Sequence, residues 1–244
     1  MRWAVLVVVT ITLATHALAH VAPSVDDNNR YLKLTPQADR VRLAYTVFFG
    51  ERPGAALRPA LDLDRDRTIS DAEAQVYGDR IAADVIGSLE LSIDGTAQRL
   101  AWKQVVVGLG TPAVAGGSFS IDMIAYVCLP AGARHEVVLR DRFRVPKPGE
   151  TEVRVEDGPG ITVDAARIAG ADALANDFKF VGPGGPLSDD GLHVRFRASD
   201  DAPRSGECNV ARATSDGGLP WLAIGGGAVA LLALGLVIRR ARAR

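Results

Sequence analysis

Residues 62 to 73 read Asp-Leu-Asp-Arg-Asp-Arg-Thr-Ile-Ser-Asp-Ala-Glu. Asp62, Asp64 and Asp66 alternate strictly, and Glu73 closes the stretch. Alternate side chains on a tight turn can aim at one point, and a carboxylate from a following helix can complete the shell. Hard divalent cations favour such a set: calcium takes six to eight oxygens at about 2.3–2.6 Å. The chemistry expected here is therefore cation coordination. A plainer reading accounts for part of the stretch. Ser70 and Glu73 have capping-box spacing, and acidic groups suit the positive end of a helix. That leaves the three alternating aspartates and Ile69 unexplained.

Set in a frame of twelve, Asp62, Asp64 and Asp66 hold positions 1, 3 and 5, Thr68 position 7, Ile69 position 8, Ser70 position 9 and Glu73 position 12. This order resembles the EF-hand calcium loop. The resemblance implies Ca2+ held by the side chains of Asp62, Asp64, Asp66 and Glu73. Thr68 would offer its main-chain carbonyl, and Ser70 would act directly or through a water. Two departures stand out. Position 6, where the loop turns with positive φ, is Arg67, at a cost of about 1 kcal/mol relative to glycine. Arg65 and Arg67 also leave the loop's five acids at a net −3, which lowers affinity.

The helix that must follow the loop shows Tyr77, Ile81 and Val85 on one face, with Gly78 as a weak point. Pro53 and Pro59 argue against a helix leading in, so the expected unit is a loop followed by a single helix. Sensor EF-hands work in pairs, and a lone loop is expected to stiffen its scaffold instead of signalling.

That scaffold has a period of two. Val41, Leu43, Tyr45, Val47 and Phe49 alternate with more polar neighbours, as do Leu89, Leu91 and Ile93, and then Phe119, Ile121, Met123, Ala125 and Val127. Asp94-Gly95 predicts a hairpin whose return strand runs through Leu100, Trp102 and Val105–Val107. Further strands are expected at 136–139, 151–155, 161–163 and 192–196. The sets at Pro146-Lys147-Pro148-Gly149 and Gly158-Pro159-Gly160 read as turns. The expected fold is mainly β: an antiparallel β-sandwich-like exterior domain with one helix after the acidic loop, plus one C-terminal transmembrane helix.

The two ends of the chain predict where that domain sits. Met1-Arg2-Trp3, a nearly unbroken apolar run to Leu18 and the small residues Ala17 and Ala19 read as a signal peptide over 1–19. Leu219 to Ile238 carries no charge for 20 residues, a helix length of about 30 Å that matches the hydrocarbon core of a bilayer. Arg239, Arg240, Arg242 and Arg244 follow, as a cytoplasmic tail should. The organisation expected is an exterior domain over 20–198, a juxtamembrane linker over 199–218, a membrane span over 219–238 and a basic tail over 239–244. The protein is thus placed in the cell membrane as a single-pass chain with its main domain outside the cytoplasm. Gly217-Gly218, the apolar span and the Arg cluster also resemble the GlyGly type of bacterial C-terminal sorting signal, which implies removal of the helix after export.

Of 28 basic residues, one lies in the leader and four in the tail, so the exterior part sets 23 against 29 acids, a net of −6. That balance argues against nucleic acid as a partner. Cys128 and Cys208 both fall in the exported part, where pairing is expected. No Gly-x-Ser-x-Gly, His-Glu-x-x-His or Gly-Lys-Ser/Thr motif occurs, and no enzyme activity is expected.

The function expected is a non-enzymatic, calcium-binding accessory module of the envelope, with the bilayer and an envelope or transporter protein as partners. The alternative is copper or nickel handling through a mature N-terminal His20, with His135 or His193 as a further ligand. The Ala-His start followed by an Asp-rich loop is faintly similar to exported domains associated with nickel/cobalt transporters.

Overall fold

A computed structural model describes residues 26–172, 178–180 and 185–208. The strands within them form two six-stranded sheets. The first runs in the order β11 (Phe178–Phe180), β8 (Pro148–Val155), β1 (Asn28–Pro36), β2 (Arg40–Phe49), β6 (Phe119–Cys128) and β5 (Trp102–Gly108). The second runs β10 (Ala171–Asp172), β9 (Ile161–Ile168), β12 (Leu192–Ala198), β7 (Arg134–Asp141), β3 (Leu89–Ile93) and β4 (Thr96–Gln98). Their pairings are antiparallel except β1 with β8, which are parallel.

The alternation seen in the sequence becomes the core. Leu43, Tyr45, Val47 and Phe49 of β2 and Ile121, Met123 and Ala125 of β6 are buried. So are Leu91 and Ile93 of β3, Val137 and Leu139 of β7, and Leu192, Val194 and Phe196 of β12. Removing such side chains from water stabilises a fold by about 1.5–3 kcal/mol each.

β1 escaped the sequence reading because its inward set includes a charge. Arg30 is 4% exposed and donates from Nη1 to Asp141 Oδ2 at 2.7 Å and to the Phe143 carbonyl at 2.7 Å. Its Nε and Nη2 reach Thr151 Oγ1 at 3.2 and 2.9 Å, and the Tyr45 hydroxyl donates to the same Asp141 oxygen at 2.8 Å. This buried knot ties β1, β2 and β8 of one sheet to β7 of the other. Burial pushes the Asp141 carboxyl above its ordinary value, against the pull of Arg30.

Two expectations are corrected. The Asp94-Gly95 turn does make a hairpin, but β3 pairs with the short β4, while β5 crosses to the other sheet and pairs with β6. A helix also leads into the acidic loop: α1 spans Glu51–Leu61 and α2 spans Asp71–Gly87, so the unit is helix–loop–helix. Pro53 is tolerated because first-turn N–H groups have no partner inside the helix, and Pro59 falls in the last turn before the helix stops. A short helix α3, Pro186–Asp189, lies farther along the chain.

Gly78 marks close packing. α2 lies on β5, and a Cβ at Gly78 would stand 2.5 Å from Val107 Cγ2. Trp102 Nε1 donates to the Ala82 carbonyl at 2.8 Å and fixes the same contact.

Cys128 and Cys208 form a disulfide. It fastens the first part of the segment read as a linker. Ser205 donates from its N–H and hydroxyl to Asp39 Oδ2 at 2.9 and 2.7 Å, and Arg40 pairs with Glu207 at 3.0 Å. Residues 199–208 are therefore docked on the sandwich. Among the described residues no helix is long and apolar enough to cross a membrane. The expected leader, the span at 219–238 and the basic tail lie outside them.

Candidate metal centre

The acidic loop is anchored at both ends by apolar side chains. Leu61, the last residue of α1, and Ile69 are each 1% exposed, while Asp64 and Asp66 between them face solvent and Asp62 is half-buried. Burying the flanks and exposing the acids is what a loop needs to present oxygens at a fixed place.

Each aspartate then bonds the backbone of the loop itself. Asp62 Oδ2 accepts from the Arg67 N–H at 3.0 Å, Asp64 Oδ1 from Asp66 N–H at 3.1 Å, and Asp66 Oδ1 from Thr68 N–H at 2.7 Å. Arg65 and Arg67 take positive φ, 64° and 73°, so the turn expected at the sixth position is made there without glycine. One oxygen from each of Asp62, Asp64 and Asp66 lies within 4.8 Å of the others. Two oxygens on opposite sides of one calcium ion stand about 4.6–5.2 Å apart, so this spacing fits a single ion. Among the described residues Asp62 Oδ1 is buried and has no hydrogen-bond partner. An orphaned carboxylate oxygen is costly unless a proton or cation satisfies it.

Glu73 joins the ends of the loop. Its Oε2 accepts from Ser70 N–H at 2.9 Å and from the Ser70 hydroxyl at 2.8 Å, while Ser70 Oγ accepts from Glu73 N–H at 3.3 Å. This is the reciprocal cap foreseen from the spacing. Its Oε1 accepts from Leu63 and Asp64 N–H at 2.7 and 3.2 Å, so the side chain faces the aspartates' loop. The bonds from Ser70, then those from Asp64 and Leu63, hold its carboxyl down to about 2.

Of the six residues singled out, the structure thus gathers the three aspartate oxygens and turns Glu73 toward their loop. Ser70 serves as helix cap. Thr68 gives its N–H to Asp66 and faces Ala113 across a β-bridge.

The loop is braced from behind by a segment that the sequence reading does not single out. Ile69 N–H donates to the Pro112 carbonyl at 2.7 Å, and Val114 N–H to the Arg67 carbonyl at 3.2 Å. The lone loop thus finds its backbone partner in the segment between β5 and β6. That segment is gripped by Arg58, which is fully buried. Its guanidinium donates to the carbonyls of Gly117 at 2.9 Å, Thr111 at 2.8 Å, Ala113 at 2.8 Å and Ser118 at 3.3 Å, and also to that of Leu109. A planar, forked donor suits such a ring of carbonyls. The glycines of the segment permit the approach: a Cβ on Gly116 would lie 2.7 Å from the guanidinium, and one on Gly117 only 1.9 Å from Glu51 Oε1. One signal was available, because Arg58 shares a helical face with Gly54 and Leu61, and a charge on an inward face needs a partner.

The histidines bear on the other metal reading. His20 lies outside the described residues. His135 is 5% exposed, with Nδ1 at 2.8 Å from Asp94 Oδ2 and Nε2 at 3.2 Å from the Gly132 carbonyl, so both ring nitrogens are engaged. His193 stands on the outer face of β12, as alternation predicts, with Nε2 at 3.1 Å from the Asp190 carbonyl.

Compared with models of known protein families and with curated proteins, the chain matches none.

Proposed function

We propose that this protein is an exported calcium-binding module of the cell envelope, held to the bilayer through residues 219–238, with its β domain outside the cytoplasm. It works without catalysis, as an accessory to a neighbouring envelope or transporter protein, and does not bind nucleic acid. One observation carries the metal reading. Three aspartates offer oxygens within 4.8 Å of one another, and an oxygen of one of them, Asp62 Oδ1, is buried with no hydrogen-bond partner among the described residues. Asp62, Asp64 and Asp66 would hold the ion, with Glu73 at the helix start as the fourth carboxylate. The loop's net −3 and its two arginines favour weak binding, in the range of about 10⁻⁴–10⁻³ M that serves extracellular sites.

Isothermal titration of the full-length protein with calcium tests this. A saturable heat is expected in that range, weakened at least about tenfold by Asp62→Ala, the loss of one charged ligand. Heat unchanged in Asp62→Ala, or no heat at millimolar calcium, would sink the reading.

A further inference from the structure

The two helices beside the acidic loop also form the walls of a second feature. Between α1, α2 and the segment 143–147 runs a groove of about 560 Å³. Its sides are apolar: Leu57 and Ala60 on α1, Tyr77 and Ile81 on α2, and Phe143 and Val145 across from them. The size and lining are those of a site for a small ligand.

The rim is not neutral. Arg80, Arg144 and Lys147 border the groove against a single acid, Asp84, and none of these three cations makes an ion pair among the described residues. This local excess of positive charge stands on an exterior part whose sum is −6. At the end formed by Lys147, Asn28 lines the groove. Asn28 is 2% exposed and gives its Nδ2 to the Pro146 carbonyl. The groove thus combines apolar walls and a cationic end.

We propose that this groove binds a single-chain anionic amphiphile, with its acyl chain between α1 and α2 and a phosphate-bearing head at Arg144 and Lys147. An acyl chain fits better than an extended peptide, because a peptide brings a main-chain donor and acceptor with every residue, and these walls offer few groups to meet them. Charge complementarity selects the phosphate: an uncharged head would leave the cations without a counter-charge. The inference is independent of the calcium reading, since none of its residues lies in the acidic loop.

The test uses the full-length protein in nanodiscs of zwitterionic lipid. The probe is lysophosphatidic acid with a photoreactive acyl chain, applied both in calcium and in chelator. Crosslinks are expected on α1, α2 and the 143–147 segment. Unlabelled lysophosphatidic acid should compete with the probe, and a monoacylglycerol of the same chain about tenfold less well. Ala60→Trp, which fills the groove from an exposed helical position, should abolish the crosslinks while thermal melting shows an intact fold. Arg144→Glu with Lys147→Glu should weaken the phosphate probe about tenfold and leave the monoacylglycerol unaffected. Equal competition by the monoacylglycerol overturns the proposal, as do crosslinks that persist in Ala60→Trp. No groove labelling, including because another part of this chain fills the groove, overturns it as well.

Discussion

At the scale of single residues, Arg67 and Glu73 set what the acidic loop can do. Arg67 holds φ at 73°, a conformation glycine adopts freely and a side chain does not. Arg67→Gly should therefore raise stability by up to about 1 kcal/mol and, by removing a positive charge, tighten calcium. Urea melts and calcium titration of the variant check both parts. Glu73 makes stability depend on pH. Its folded-state pKa, about 2, lies below its ordinary 4.5 because Ser70 and the loop N–H groups bond the charged form. The stabilisation is complete above the ordinary value and fades as pH falls through the folded one. Urea melts of the wild type and Glu73→Gln in chelator should differ most near neutrality and converge toward pH 2. A gap that stays constant with pH would contradict the assignment. These roles were half visible in the sequence. The capping box and the positive φ at the sixth position follow from local spacing, whereas the burial of Leu61 and Ile69 on either side of the acids is decided only by the fold.

At the scale of elements, the acidic loop is a part of a larger brace. α1 carries Arg58 into the carbonyls of the 109–118 segment, and that segment in turn bonds residues 67 to 69 of the loop. Arg58→Lys keeps the charge but has fewer donors and no fork, so several buried carbonyls lose their partner. A loss of about 3 kcal/mol or more is expected, read by urea melts, with weaker calcium binding as the brace slackens. Wild-type stability in Arg58→Lys would show that the carbonyl ring contributes nothing. The helix leading in was misread because proline was weighed as a helix breaker regardless of position. At the third residue of α1 it forfeits no helical bond, and a rule based on residue type alone overlooks that. The hairpin was misassigned for a related reason: strand periodicity says that β5 is a strand and nothing about which sheet receives it.

At the scale of the whole molecule, the disulfide fixes where the last described residues of the chain sit. Cys208 is tied to Cys128 at the far end of β6, while the 109–118 segment and the acidic loop stand near Phe119 at its beginning. A ten-residue strand at about 3.4 Å per residue places these ends roughly 30 Å apart. The acidic loop thus lies at the end of β6 away from Cys208. The bridge closes a separation of 80 residues, worth about 4.5 kcal/mol in the chain-entropy model. Cys128→Ser with Cys208→Ser should lower the melting free energy by that order and make residues 199–208 sensitive to protease. Unchanged protease resistance would mean that Asp39 and Arg40 hold the segment on their own.

The sequence by itself determined the β-rich character of the body, the pairing expected of its two cysteines, and the identity and order of the acids in the loop. All of these are local patterns or simple counts, and neighbouring residues in the chain suffice to read them. Only the tertiary structure decided that a buried Arg30–Asp141 pair joins the sheets, that Arg58 and a glycine-rich segment stand behind the acidic loop, and that α1 and α2 enclose an apolar groove. Those features join residues dozens of positions apart, and a buried charge or a tight glycine acquires its meaning from the atoms that surround it.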